Sequence, residues 1–144
     1  MAVTDFYNSI DIRPGFPAIT TPDDTASVSA IIDRQNYDGV LFLITTGALT
    51  DINATSTALL EEGDDSGLSD AAAVADADMF GTEALAAPIF SNDDTVFKLG
   101  YRGTKRYVRL TLTPSGNTGD WPVACPVVLF GGRKPPYTSQ SDNT

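Results

Sequence analysis

Carboxylates are the side chains of this sequence that could most readily take part in catalysis or metal binding. Glu61-Glu62 and Asp64-Asp65 flank a glycine in a turn-like stretch. Glycosidase chemistry needs two carboxyl groups in one pocket with pKa values pushed apart, whereas neighbouring acids in an exposed turn face water. Calcium also favours clustered carboxylates, but the ligand spacing of a calcium-binding loop is missing. We therefore predict a solvated turn here, with no catalytic residue and no metal site.

The other common catalytic side chains are scarce. The chain of 144 residues contains no histidine and one cysteine, which removes the commonest general base, the usual zinc ligands and any intrachain disulfide. Cys125 lies in an apolar run with no histidine to activate it, so a buried structural thiol is expected. The sequence predicts a protein that is not an enzyme and that uses no cofactor.

A cluster of basic residues is the next candidate site. Its members are Arg102, Lys105, Arg106 and Arg109, beside Tyr101 and Tyr107. Bases of a nucleic acid stack on such aromatic side chains, but the net charge of −10 opposes nucleic-acid binding. We expect these four cations to bind an acidic protein patch. The alternative is that they are ordinary solubility charges at strand edges.

Charge is segregated along the chain. Residues 35–97 contain twelve acids and no Lys or Arg, and residues 98–134 contain seven bases and one acid. The net charges are therefore −12 and 7 − 1 = +6. If the two segments form different surfaces, the molecule is an electric dipole that favours contacts between copies. The alternative is that the strands interleave and the charges average out.

Hydrophobic patterning predicts β-strands separated by turns. The predicted strands are residues 26–33, 40–44, 56–62, 95–101, 107–113 and 125–130. Residues 102–106 are expected to join two of them as a hairpin, and residues 69–87 fit either a short helix or a short strand followed by a loop. The pattern is typical of an all-β fold, an antiparallel β-sandwich of jelly-roll-like type with an N-terminal arm and, in one of those two interpretations, one short helix.

Prolines define the expected domain limits. Pro14, Pro17 and Pro22 predict an extended N-terminal arm over residues 1–26 with little ladder pairing, anchored by apolar side chains that include Phe6 and Tyr7. The sandwich then covers residues 27–134, and residues 135–144 form a flexible tail. Because the first residues carry acids and no basic region, no secretory signal is expected, and no apolar run is long enough to predict a membrane span.

Trp121 is predicted to be a packing anchor at a loop or an interface. Together with Tyr101 and Tyr137 it could also form a stacking platform for sugars. This leaves a carbohydrate- or cell-surface-binding module as an alternative function.

Several stretches, taken in order, resemble a known group of proteins. They are Ile-Asp-Arg-Gln-x-Tyr at residues 32–37, Thr-Gly-Ala-Leu-Thr-Asp at 46–51, Leu-Glu-Glu-x-Asp-Asp at 60–65, Gly-Tyr-x-Gly-x-Lys-Arg-Tyr-Val-Arg at 100–109 and an apolar strand before a glycine at 127–131. Over residues 30–132 the sequence resembles small structural proteins of tailed bacteriophages and prophages.

That resemblance implies a capsid decoration (cement) protein, with a head–tail joining protein as the alternative. The expected partners are the major capsid protein and further copies of the chain, as a homo-oligomer that is a trimer at local threefold positions. The expected location is the virion capsid, and the host cytoplasm during assembly. The resemblance carries over no catalytic residue.

Overall fold

The structure, a computed structural model, describes residues 5–133. Within these residues the chain forms ten strands, one short α-helix (α1, Glu83–Ala86) and two single-turn 3-10 helices (Tyr7–Ser9 and Asp76–Asp78). The strands are β1 (Ile10–Thr21), β2 (Ser27–Val28), β3 (Ile32–Asp33), β4 (Gly39–Thr46), β5 (Thr55–Gly63), β6 (Ala72–Ala73), β7 (Met79–Phe80), β8 (Val96–Tyr101), β9 (Tyr107–Ser115) and β10 (Trp121–Phe130).

Two antiparallel sheets pack face to face. Sheet A has the strand order β1-β10-β4-β8-β7, and sheet B has the order β2-β9-β5-β6, with β3 also paired to β9. The predicted all-β antiparallel sandwich is confirmed, and so are the strands predicted at residues 40–44, 56–62, 95–101, 107–113 and 125–130. The strand predicted over residues 26–33 is interrupted, because β2 and β3 each have only two residues.

The core lies between the sheets and follows the period-two alternation of the strands. In β4 the inward side chains include Val40, Phe42 and Ile44, all fully buried. Sheet B supplies Leu110 and Leu112 from β9, which are also fully buried. The alternation of β9 seen in the sequence therefore distinguishes its core side from its outer side.

The expected N-terminal arm is wrong for Ile10–Thr21, which form edge strand β1 and pair with β10. Phe16 is 4% exposed and belongs to the core. The prolines are tolerated because an edge strand needs hydrogen-bond donors on one side only, and because the register shifts on both sides of Phe16 absorb the irregularity. Pro14 lies opposite Pro126, a pair in which neither residue has an N–H to donate. Residues 1–4 and the predicted tail lie outside the described residues.

The expected hairpin at residues 102–106 is also wrong. β8 belongs to sheet A and β9 to sheet B, so this link crosses from one sheet to the other. The turn between β3 and β4 crosses at the same end. The Arg34 guanidinium joins the two crossings, because it donates hydrogen bonds to the carbonyl oxygens of Gly103 and Lys105 in the link and of Tyr37 in the turn.

Residues 69–87 combine parts of both interpretations, because a short strand and a turn at Gly81 are followed by a short helix. They contain the short strand β6, a 3-10 turn, the short strand β7 after it and a single turn of α-helix. The Thr82 hydroxyl caps that helix by accepting a hydrogen bond from the Leu85 N–H at 3.2 Å. A longer helix does not form, because the chain turns at Gly81, whose φ is +84°.

The structural role of β1 can be tested by truncating its core side chain. Phe16→Ala is expected to lower the free energy of unfolding by about 3–5 kcal/mol, the usual cost of removing a buried Phe ring. The control, Phe6→Ala, removes a ring that is 65% exposed and should change stability by less than about 0.5 kcal/mol. Urea unfolding of both variants measures the difference. Equal stabilities would mean that β1 is a detachable arm after all.

Candidate interaction surface

The outer face of sheet A is apolar, and we call it the apolar face. The strand register places on it side chains from all five strands. Its apolar members are Ile10, Ile12, Pro14, Leu41, Leu43, Phe80, Val96, Pro122, Ala124, Pro126, Val128 and Phe130. Lys98 is the single charged residue that the described strands place there. Ile12, Phe80 and Val96 are 37%, 48% and 60% exposed.

The outer face of sheet B has the opposite character. Its strands β5 and β9 place there mainly hydroxyl and charged side chains. These are Thr55, Thr57, Glu61, Tyr107, Arg109, Thr111, Thr113 and Ser115, with Leu59 and Val28 as the apolar exceptions. An antiparallel sheet that faces water on one side normally shows this apolar-in, polar-out alternation. Sheet A departs from it, and a continuous exposed apolar patch of this kind typically marks a site of interaction.

A cleft of about 430 Å³ opens in the apolar face. Leu41, Phe80, Lys98, Gly100 and Phe130 are among the residues that line it. Two glycines make room for its aromatic rings. A Cβ atom at Gly39 would lie 2.3 Å from Cζ of Phe130, and one at Gly100 would lie 2.9 Å from Cβ of Phe80. The rings therefore rest on positions that have no side chain.

Two cations border this cleft. Within residues 5–133 the Lys98 amino group has neither a carboxylate nor a hydrogen-bond acceptor as a partner. The guanidinium carbon of Arg102 lies 4.9 Å from the centre of the Phe80 ring, and its Nε donates to the Ala77 carbonyl oxygen at 3.1 Å. Arg102, one of the predicted site residues, therefore adjoins the apolar face through a cation–π contact.

The other three residues of the predicted basic cluster are neutralised within the chain. Lys105 pairs with Asp64 at 2.6 Å, Arg106 with Asp33 at 2.7 Å and Arg109 with Glu61 at 2.8 Å. The pairs of Lys105 and Arg109 join the basic and acidic segments of the sequence, since β9 lies beside β5. At these positions the acidic and basic segments therefore lie side by side, as in the alternative interpretation. The expected separation into an acidic and a basic surface does not form there.

The predicted aromatic site residues differ in their accessibility. Phe6 and Tyr7 are 65% and 59% exposed, beside the start of β1. Trp121 and Tyr101 are fully buried in the core. Trp121 is therefore a packing anchor, as predicted, but it fills the space between the sheets at the first position of β10, so the expectation that it contacts a partner is wrong. Neither of them offers a stacking surface for a sugar, and Tyr137 lies outside the described residues.

The acidic turn is held together by its own carboxylates. Asp70 accepts hydrogen bonds from the backbone N–H groups of Asp64 and Asp65, at 2.8 and 3.2 Å. Asp65 in turn accepts from the N–H groups of Gly67 and Ser69. Across residues 5–133 no three acidic or cysteine side chains converge in a way that could hold a metal ion. The same part of the chain has no helix long and apolar enough to cross a bilayer.

Cys125 is buried at the centre of β10, and burial raises the pKa of its thiol to about 12. A thiol with so high a pKa is a poor nucleophile at neutral pH, because the thiolate is the reactive form. Its side chain belongs to the core.

The apolar face is the feature that the sequence interpretation missed. Its signal was present in the continuous apolar runs at residues 40–44 and 126–130, which are typical of strands covered on both faces. The structure buries the inner face of these strands completely, whereas the outward side chains of β4 and β10 stay partly exposed to solvent.

The ion pairs predict how stability depends on pH. The hydrogen bond from Arg106 lowers the pKa of Asp33, and the hydrogen bond from Lys105 lowers the pKa of Asp64. A carboxyl group whose pKa is lower in the folded state stabilises the fold above the unfolded pKa of about 3.9, and that contribution is lost as the pH falls through the folded pKa. We expect the free energy of unfolding to fall below about pH 4.

Urea titrations between pH 7 and pH 2.5 measure this dependence. Asp33→Asn should flatten the decline at acidic pH. Asp76→Asn is the matched control, because in residues 5–133 its exposed carboxylate makes no ion pair. Identical curves for the parent chain and Asp33→Asn would contradict the expectation.

Comparisons with known proteins bear on the fold. No protein-family model matches the chain. No curated protein matches it either. The chain is similar in structure to PBSX exported protein XepA, with a TM-score of 0.52 at 13% sequence identity. The similarity covers 99% of this chain and 43% of that protein, so the chain spans less than half of its length. At this identity the two proteins are alike in fold.

Proposed function

We propose that this protein is a structural component of a phage virion, a decoration protein that binds the major capsid protein through its apolar face. The observation that carries the proposal is the contrast between the two outer faces of the sandwich. Sheet B turns hydroxyl and charged groups to the solvent, whereas sheet A turns aliphatic and aromatic groups outward. An adhesive protein needs this arrangement, because one side must bury itself while the other stays hydrated.

Two further observations support a phage role. The fold is similar to that of a PBSX protein, which is phage-related, and five stretches of the sequence resemble small phage structural proteins.

The residues that could perform chemistry favour a binding role over a catalytic one. The carboxylates of the acidic turn bind backbone N–H groups, and the single thiol is buried with a raised pKa. We accordingly propose that the protein binds and does not catalyse, with no nucleic-acid or membrane partner.

The energetics suit a repetitive shell. Burial of apolar surface contributes roughly 25 cal/mol per Å², and several partly exposed side chains on one face add their contributions. When linked copies bind equivalent sites, the second contact becomes intramolecular, so avidity exceeds the affinity of a single copy. We therefore propose a homo-oligomer, a trimer, as the binding form, located on the capsid.

Binding to shells tests the role of the apolar face. Ile12→Asp and Val96→Asp each place a charge on an exposed position of this face and should weaken co-sedimentation with undecorated capsids by about tenfold or more, since 1.4 kcal/mol corresponds to a factor of ten. Val28→Asp is the matched control, because Val28 is 50% exposed on the outer face of sheet B. It should bind as the parent chain does.

Two results would count against the proposal. If the parent chain does not bind capsids, decoration is wrong, and labelling of intact virions would then show whether the chain lies at the head–tail junction. If Val28→Asp weakens binding as much as Val96→Asp does, the binding surface is not the apolar face.

The oligomeric state has a test of its own. Native mass spectrometry of the purified chain at micromolar concentration, with and without capsids, is expected to show trimers. A monomer both in solution and on the shell, at one copy per isolated site, would exclude the trimer.

A further inference from the structure

We propose that the cleft between Phe80 and Phe130 is the specificity site of the apolar face, and that it takes a protein segment in which a large apolar side chain adjoins a carboxylate. This inference deepens the proposed function, on which it rests, by stating the chemistry that the capsid segment must present. The rest of the apolar face contributes buried apolar area to binding, whereas the cleft determines which segment of the partner is bound.

The first argument is the shape of the cleft. Its volume of about 430 Å³ lies in the range of sites that hold a ligand or a side chain. The Phe80 and Phe130 rings rest on Gly100 and Gly39, and Leu41 lines the cleft in the strand between β10 and β8. Aromatic and aliphatic walls of this kind favour an aromatic or large aliphatic side chain, which packs against rings with specific geometry.

The second argument is charge. The chain carries a net charge of −10, yet the charged residue that lines this cleft, Lys98, is a cation, and so is Arg102, which contacts the Phe80 ring. Within residues 5–133 neither is paired with a carboxylate, in contrast to Lys105, Arg106 and Arg109. A partner that covers the cleft would bury part of the Lys98 amino group, and an unpaired buried charge is strongly unfavourable. The partner must therefore supply an anion next to its apolar side chain.

The two features together define the occupant. An apolar side chain alone would fill the cleft but leave Lys98 without a partner. A carboxylate alone would reach Lys98 but leave the aromatic walls exposed to water. A segment with both groups on neighbouring residues satisfies both requirements, and a segment with a basic residue at that position is rejected by like charge.

Selection from a random heptapeptide library tests this chemistry without capsids. On the full-length protein, we expect enrichment of peptides in which Phe, Tyr, Trp or Leu adjoins Asp or Glu. Lys98→Glu should reduce binding of the enriched peptides by at least tenfold and shift a new selection toward Lys and Arg. Thr57→Glu, which adds a negative charge to the outer face of sheet B, is the control and should select as the parent chain does.

The outcomes are distinguishable from those of the capsid experiment. Enrichment without an acidic residue, no enrichment at all, or the same enrichment with Lys98→Glu would overturn the cleft proposal, even if the parent chain binds capsids. Acidic–apolar enrichment that Lys98→Glu abolishes would support it, even if capsids are not bound and the proposed function fails. If the enriched motif matches a segment of this chain and blocks its self-association, the occupant is a second copy, which would overturn the assignment to the capsid.

Discussion

The pairing of β10 on both of its sides is the interaction on which sheet A depends. β10 bonds to β1 along one edge and to β4 along the other, and its ten residues are apolar on both faces. Trp121, Cys125 and Leu129 point inward and are fully buried. Pro122, Ala124, Pro126 and Val128, on the other side of the strand, form the middle of the apolar face. One strand therefore supplies both the core and the proposed binding surface, so the two share the same backbone register.

Much of the sandwich could be predicted, because period-two alternation marks a strand with one buried face. β9 is the clearest case, since Val108, Leu110 and Leu112 alternate with polar residues and are all buried. β1 could not be predicted, because its prolines oppose ladder pairing in general and only the neighbouring strand reveals that they lie at an edge and beside bulges. The sequence also shows that β8 and β9 are strands, but alternation contains no information about which sheet a strand joins.

The candidate site was harder to predict than the fold. Basic residues are obvious candidates in a sequence, but three of the four are paired with acids that are distant in sequence. These acids become neighbours only when β9 pairs with β5 and with β3. The sequence predicts Trp121 as a packing anchor at a loop or an interface, and its complete burial depends on the other sheet, which no local pattern reveals. The apolar face is assembled from five strands, each of which contributes one to five side chains. No local pattern describes it. Lys98 differs from Lys105, Arg106 and Arg109 in having no ion pair within residues 5–133, and only the folded structure shows that difference.

Arg34 has a mechanical consequence. The β3–β4 and β8–β9 crossings are covalent links between the sheets, but each is a short irregular segment that could bend by itself. The Arg34 side chain ties them together through four carbonyl oxygens, two in each crossing, and its guanidinium carbon lies 5.4 Å from the centre of the Tyr101 ring. A force applied to sheet A at this end would therefore reach sheet B through both crossings at once, so the two sheets should move there as one body.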